Sequence, residues 1–307
     1  MHPILKKIDK KLAQLPSISA ISDYLTGSEL NSLLLEVFRR RIKQITPQKL
    51  LKQFGTNRFV QLATVDAIPM KSLELKCLQL AEQSGFTAVV LSPLAPLGSC
   101  SVVGKVDQNN IVSALRGTEV VSDATNVLAL QVAEDMKKSG KKSNLIQYAT
   151  VHRHVRGQAF DNPAFSAHFS VFCLVTGGQD TGNFKFESKQ LRNHLILHYQ
   201  LLSEHFSDEL LTTKIFLKNR DSDFKSTLAE KLSQGMSDRT VQWIEEENPN
   251  EYYQQVQFKI YLRSQGQLID LADGGLVDWT QKLLSNRKQR LFISGIGLEL
   301  VNKLTVN

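Results

Sequence analysis

The residues best suited to chemistry in this chain are cations clustered on one segment. His152, Arg153, His154 and Arg156 lie within five positions, beside a polar loop that carries Gly157, Asp161, Asn162 and Pro163. On a strand, alternation puts Arg153 on one face with Val151 and Val155, and His152, His154 and Arg156 on the other. This cluster is the strongest anion-binding candidate in the sequence. The competing reading is a row of solvent-facing strand residues in a basic protein. His194 and His198 have the four-residue helical spacing of a shared metal site, but the intervening Leu-Ile-Leu lacks the glutamate of a zinc peptidase. No third ligand is indicated, so they read as packing or surface histidines. Glu245-Glu246-Glu247 and the Asp221 to Asp223 stretch have no recognisable partners and read as solvated turns, which leaves paired acid/base hydrolysis unsupported. Gly295 and Gly297 do not form a lysine-bearing phosphate loop; their simpler role is close packing of a strand and a helix. No Ser/His/Asp signature and no dinucleotide fingerprint is present.

The elements that must position these residues can be read from periodicity. After Ser28, Leu30, Leu33, Leu34, Val37, Phe38 and Ile42 recur at helical spacing, and Arg39, Arg40, Arg41 and Lys43 end that helix where its dipole favours cations. A helix through Leu73, Leu75, Leu78 and Ala81 stops at Gly85 and is followed by an apolar strand, Phe86 to Ser92. Ser122 is the expected N-cap of a helix that reaches Gly140. Two strands, Leu145 to Val155 and His168 to Thr176, form an expected antiparallel pair. A long helix from Glu187 to Phe206, a strand Lys214 to Leu217 and a helix with Leu228 and Leu232 come next. After Pro249, Val256, Phe258, Ile260 and Leu262 alternate with polar residues as in a half-buried strand, and Gln265-Gly266 turns it back. A final strand from Arg290 enters a helix across Gly295 and Gly297. Consecutive strands in the middle and at the end predict an α+β fold, an antiparallel β-sheet flanked by helices, with a helical N-terminal segment over 1–70 and the main domain over 71–307.

Composition bounds the rest. With 307 residues and 42% hydrophobic content, the chain can bury a sizeable core, which excludes disorder throughout. No apolar run approaches the ~20 residues of a bilayer span, and the N-terminal MHPILKKIDKKLAQL has no secretory pattern. A soluble, cytoplasmic protein is expected. Three separated cysteines, Cys77, Cys100 and Cys173, read as reduced core thiols. The formal charge of +7 is compatible with a polyanion partner but modest for this length.

Three segments, in order, resemble the signature motifs of class II aminoacyl-tRNA synthetases. Gly85-Phe86-Thr-Ala-Val-Val-Leu-Ser-Pro93 after its helix is similar to motif 1, which implies a homodimer. Thr150-Val-His-Arg153-His-Val-Arg156, its loop and His168-Phe-Ser-Val-Phe172 resemble motif 2, where an arginine and a later Arg or His followed by Phe embrace ATP. Ser294-Gly295-Ile-Gly297-Leu-Glu299-Leu300 resembles motif 3. Asp273-Gly274-Gly275-Leu-Val-Asp278 is similar to a segment of histidyl-tRNA synthetases and of their paralogue, the regulatory subunit of ATP phosphoribosyltransferase.

The resemblance implies a site. Arg153, Arg156, His168, Phe172 and Glu299 are expected around ATP, with Arg153 and Glu299 catalytic and Glu299 near Mg²⁺. Arg116, Thr118 and Glu119 resemble a loop placed over the amino acid, where a hydroxyl and a carboxylate suit an α-ammonium, and Asp273, Gly274 and Gly275 line the substrate side. The other reading of Thr118 and Glu119 is a loop with charge near a helix start, and Asp123 reads as helix-start chemistry. Two departures cut against catalysis. Val155 stands where motif 2 carries an acidic residue. Leu300 stands where motif 3 carries an arginine, whose charge and planar fork leucine does not supply. Leu276, where the histidyl pattern carries an arginine, removes that family's specificity. Two functions follow: a ligase binding ATP and a small amino acid or carboxylate for adenylation, or an inactive paralogue serving as a regulatory or RNA-binding subunit, with tRNA or another protein subunit as partner.

Overall fold

The computed structural model describes residues 18–139, 145–158, 166–219, 221–245 and 252–306. The expectations for the first 15 residues and for Gly140, Asp161, Asn162, Pro163, Glu246, Glu247 and Pro249 lie outside the described residues.

Helices α1 (Ile18–Asp23), α2 (Gly27–Ile42) and α3 (Pro47–Thr56) come first. Thr26 and Glu29 form a reciprocal capping box on α2, and Thr46 with Pro47 starts α3, so local chemistry alone sets both N-termini. Neither helix buries a residue. α4 (Ala67–Gln83) is different: Met70, Leu73, Cys77 and Ala81, at helical spacing, are all buried. Gly85, at φ +87°, ends it in a conformation glycine adopts freely.

The chain then lays down β1 (Thr87–Ala88), β2 (Leu94–Pro96), β3 (Ser113–Ala114) and β4 (Thr118–Val120), helix α5 (Ala124–Ser139), and the long strands β5 (Ile146–Val155) and β6 (His168–Gln179). Helix α6 (Lys185–Leu202), β7 (Leu211–Leu217), α7 (Ser222–Met236) and β8 (Val241–Ile244) follow. The chain closes with β9 (Val256–Ser264), β10 (Gln267–Val277), α8 (Trp279–Leu283), β11 (Gln289–Gly297) and α9 (Leu298–Val306). The main sheet runs β1-β5-β6-β11-β10-β9-β7-β8, and β2-β4-β3 form a small second sheet.

The α+β class is as expected, but the sheet is mixed rather than antiparallel throughout. β1 pairs parallel with β5, and β7 with β8. The physical reason is that each of these pairs is joined by a crossover containing a helix, α5 or α7, and a crossover returns the chain in the same direction. β1 is also shorter than the expected Phe86 to Ser92 strand. Val89 still donates to Ala149 O, but Ser92 Oγ accepts from Leu94 N in a turn that carries the chain to β2. β5 and β6 form the expected antiparallel pair, with Arg153 opposite Ser170.

The sheet separates two apolar layers. On one side α4, α6, α7 and α9 cover a core built around Phe172, Leu195, Phe258 and Phe292. On the other, α5 and α8 pack Leu128, Val132 and Trp279 over Val175 and Leu291. Each fully buried Leu or Phe contributes about 1.5–3 kcal/mol. The three cysteines are free and buried. Among the described residues no helix is long and apolar enough to cross a membrane.

Candidate functional site

The alternation along β5 divides the basic cluster between the two faces of the sheet. On the α4/α9 face, Arg153 Nη2 pairs with Glu299 Oε1 at 2.9 Å and Nη1 lies 2.7 Å from His168 Nδ1. A guanidinium only donates, so Nδ1 accepts. His168 Nε2 then carries the proton and donates to Gln61 O at 2.6 Å. Arg153, Glu299 and His168 thus come together as one closed ionic and hydrogen-bonded group under the segment that follows α3.

The opposite face holds a cavity of about 310 Å³ at the junction of β5, β6, β10, β11 and the start of α5. Arg156 projects into it with its guanidinium 5.2 Å from the Phe169 ring centre. Asp123 Oδ1 accepts from Thr125 N and Oγ1 at 2.9 and 2.7 Å, while Oδ2 accepts from Tyr252 Oη at 2.9 Å. Asp273 Oδ2 accepts from Tyr253 Oη at 2.9 Å. Tyr253 is buried and Tyr252 partly so, and this desolvation raises both pKa values well above the ordinary value and keeps them donors. Asp270 also lines the cavity but is paired with Lys259 at 2.6 Å.

His154 faces the cavity as a neutral ring. Its Nε2 accepts from Ala124 N at 3.0 Å, so the proton sits on Nδ1, which has no partner within the described residues. Burial, with Arg156 adding to it, pushes its pKa down to about 3 despite nearby Asp123. Cys173 Sγ is 3.9 Å from the same nitrogen, and burial raises the thiol well above its usual value, so the pair is not a nucleophile and its base. For Asp123, burial opposes ionisation while His154, Arg156 and the Thr125 bonds favour it, and the net direction is down. Because His154 is neutral, the charge that holds Asp123 ionised is Arg156. For Asp273 the neighbouring cation is Lys259, which is already paired with Asp270. Burial and Asp270 lift it to about 6 against the Tyr253 bond and Lys259.

A test of that environment follows. Because the Asp273 pKa is raised on folding from 3.8 to about 6, the folded chain binds this proton more tightly than the unfolded chain. Stability from this group is greatest below pH 4 and falls as pH rises to 6, a cost of about 2–3 kcal/mol above that. Asp273→Asn is therefore expected to be more stable than wild type in urea at pH 8, with the advantage shrinking towards pH 4.5; an advantage independent of pH contradicts a strained carboxylate.

Other expected site residues lie elsewhere. Phe172 is fully buried in the α6-side core, and Phe169, three residues earlier, is the aromatic ring that reaches the cavity. Glu119 is buried on β4, where its carboxylate accepts from Gly98 N, Cys100 N and Gln108 Nε2 at 2.8–3.0 Å. Thr118 Oγ1 donates to Leu115 O, and Arg116, at φ +65°, donates its backbone N–H to Asn31. None of these three lines the cavity. Gly274 and Gly275 lie on β10 beside Asp273, between β9 and β11. His194 and His198 are packing residues: both bond Ser294 Oγ, at 2.8 and 2.7 Å, and His194 also meets Thr176 Oγ1. Burial depresses both pKa values, His198 to about 3, and no metal-ligand cluster occurs among the described residues. Gly295 is closely packed, 3.2 Å from Val171 Cγ1 for an added Cβ, whereas Gly297 has open space.

Sequence reasoning passed over Tyr252, Tyr253 and Phe169 and gave Asp123 no role beyond its helix. Asp123 caps α5 and also faces the cavity. The available signals were an acidic residue two before a threonine at a helix start, and a tyrosine pair just ahead of an alternating strand.

No protein-family model matches this chain, and no curated protein sequence does. Solved structures do match. An ATP phosphoribosyltransferase regulatory subunit/histidyl-tRNA synthetase from Bacillus halodurans C aligns at TM-score 0.63 and 13% identity over 81% of this chain and 82% of its own. Apo S. aureus histidyl-tRNA synthetase aligns at 0.60 and 10% over 80% and 69%, and a putative threonyl-tRNA synthetase from Aeropyrum pernix at 0.61 and 12% over 83% and 62%. At such identities the likeness speaks for architecture, and the chain has the fold of the class II aminoacyl-tRNA synthetase core.

Proposed function

We propose that this chain binds a small amino acid or similar carboxylate in the cavity without adenylating it, and serves as a regulatory subunit. The observation that carries this reading is the division of charge across β5. The cavity keeps paired recognition groups of both signs, Arg156 and His154 for a carboxylate, Asp123 for an α-ammonium and Asp273 for further positive charge. ATP and Mg²⁺, implied by the resemblance, do not fit it. A triphosphate needs converging cations, yet among the described residues lining the cavity Arg156 is the single cation, against three aspartates. Arg153 and Glu299 neutralise each other on the far face. Leu300 packs against the core there.

The purified full chain is expected to show a saturable rise in melting temperature with a mixture of amino acids and none with millimolar ATP and Mg²⁺, because a ligand that binds only the folded state stabilises it. Pyrophosphate exchange with the same mixture should stay at background. Exchange above background restores the ligase reading; no response to any amino acid removes the ligand-binding one.

A protein partner, rather than tRNA, is favoured by α2 and α3. Their basic residues are accompanied by Phe38, Ile42, Leu50, Leu51 and Phe54, all exposed, and an aliphatic face gains little from a phosphate backbone. A homodimer is part of the same reading. β1 is a sheet edge, and Val90, Leu94, Leu97 and Val102 beside it are exposed, Val90 by 96%. Light scattering is expected to give twice the chain mass for wild type and the single mass for Val90→Lys with Leu97→Lys; a wild-type monomer at micromolar concentration contradicts the dimer.

A further inference from the structure

The charge inventory of the cavity singles out one kind of amino acid. Lys259 neutralises Asp270 at its rim, and the His154 ring is neutral because its Nε2 accepts a backbone N–H. Arg156 and Asp123 share the lining as opposite charges. Asp273 is left over. It is half-buried, lines the cavity, and among the described residues has a single hydrogen bond, from Tyr253 Oη, while a carboxylate accepts more than one donor. A partly buried carboxylate whose neighbouring cation, Lys259, is already bonded to Asp270 is costly, and a protein that keeps one in a solvent-connected cavity gains when a ligand brings further positive charge. His154 also lines the cavity, and its Nδ1–H is a buried donor with no acceptor among the described residues. Two unfilled demands thus belong to residues that line the same space: an acceptor for His154 and Arg156, and further positive charge for Asp273.

We propose that the ligand of this cavity is a basic amino acid, whose carboxylate meets Arg156 and His154 Nδ1–H, whose α-ammonium meets Asp123, and whose side-chain cation meets Asp273. This inference rests on the amino-acid-binding reading above. It deepens it by assigning Asp273 as the residue that selects a positively charged side chain over a neutral one. The remaining lining suits the aliphatic stem: Val171, Ala272, Ile293 and Gly295 contribute apolar surface.

The test is calorimetric titration of the full-length wild-type chain at pH 7.5 with lysine, arginine, histidine, norleucine, glutamate and cadaverine, repeated with Asp273→Asn and Tyr253→Phe. One or more of lysine, arginine and histidine is expected to bind at least about tenfold more tightly than norleucine. Asp273→Asn is expected to erase that preference while norleucine still binds measurably, which separates loss of selectivity from loss of the fold. Tyr253→Phe, which removes only the hydroxyl held by Asp273, should keep the preference. Norleucine or glutamate binding as tightly as the basic amino acids overturns this inference and leaves the general amino-acid reading standing. Cadaverine matching lysine overturns the assignment of a carboxylate to Arg156 and His154. Absence of binding by all six overturns this inference, and the amino-acid-binding reading falls with it only if the full amino-acid mixture also gives no response.

Discussion

Gly275→Ala and Gly274→Ala are each expected to lower stability by about 3 kcal/mol or more, among the largest effects of any single methyl group in this protein. A Cβ on Gly275 would stand 2.4 Å from Val256 O, 2.8 Å from Tyr253 Cδ1 and 3.0 Å from Gln257 Cα. On Gly274 it would meet Ser294 Cβ at 2.5 Å, Ile293 O at 2.6 Å and Phe258 Cε1 at 2.6 Å. These neighbours are mostly backbone and core atoms of β9 and β11, held by ladder hydrogen bonds, so they do not swing aside as a surface side chain does. With total stability of about 5–15 kcal/mol for an ordinary domain, such a loss moves a urea midpoint far. Gly297→Ala is the control: nothing lies within 4 Å of its added Cβ, and the expected change is within about 1 kcal/mol. If the three variants unfold at the same urea concentration, close packing at the paired glycines is refuted. The same contact explains a functional link. Gly275 lets the Tyr253 ring lie flat against β10, and that ring is what holds Asp273.

Phe172→Ala and Phe169→Ala should separate core from site. Phe172 is fully buried, 6.2 Å from the His198 ring in an edge-on arrangement, and its truncation is expected to cost about 3–5 kcal/mol. Phe169 lies under Arg156 at the cavity wall. Its truncation removes a cation–π contact of about 0.5–2 kcal/mol and frees the guanidinium, so ligand affinity should fall by more than stability does. Denaturation and calorimetry on both variants decide the matter. If Phe172→Ala keeps its stability and loses ligand, the nucleotide-side expectation for Phe172 stands after all.

The elements were largely legible because amphipathic periodicity is a local property. The spacing in α4, the strand pair β5 and β6, and the alternation in β9 each follow from one face being wet and the other dry. The strand direction was not legible. Nothing within Thr87–Ala88 or Val241–Ile244 says that the neighbouring strand runs parallel; the intervening crossovers decide it. The same limit explains Thr118 and Glu119. A hydroxyl beside a carboxylate suits ammonium in isolation, but the Gly98 and Cys100 amides, some twenty residues earlier, occupy the carboxylate once β2 and β4 pair.

By itself the sequence determined the helix and strand order, the α+β class, the buried thiols and the placement of Arg153 and Arg156 on opposite faces of one strand, because each depends on residues close in the chain. Only the tertiary structure decided which face carries a cavity. It joined Arg153 to Glu299 and His168, and put Asp123, Tyr252 and Asp273 around one space. Those partners come from segments up to 150 positions apart, and their charges acquire meaning only when the sheet brings them together.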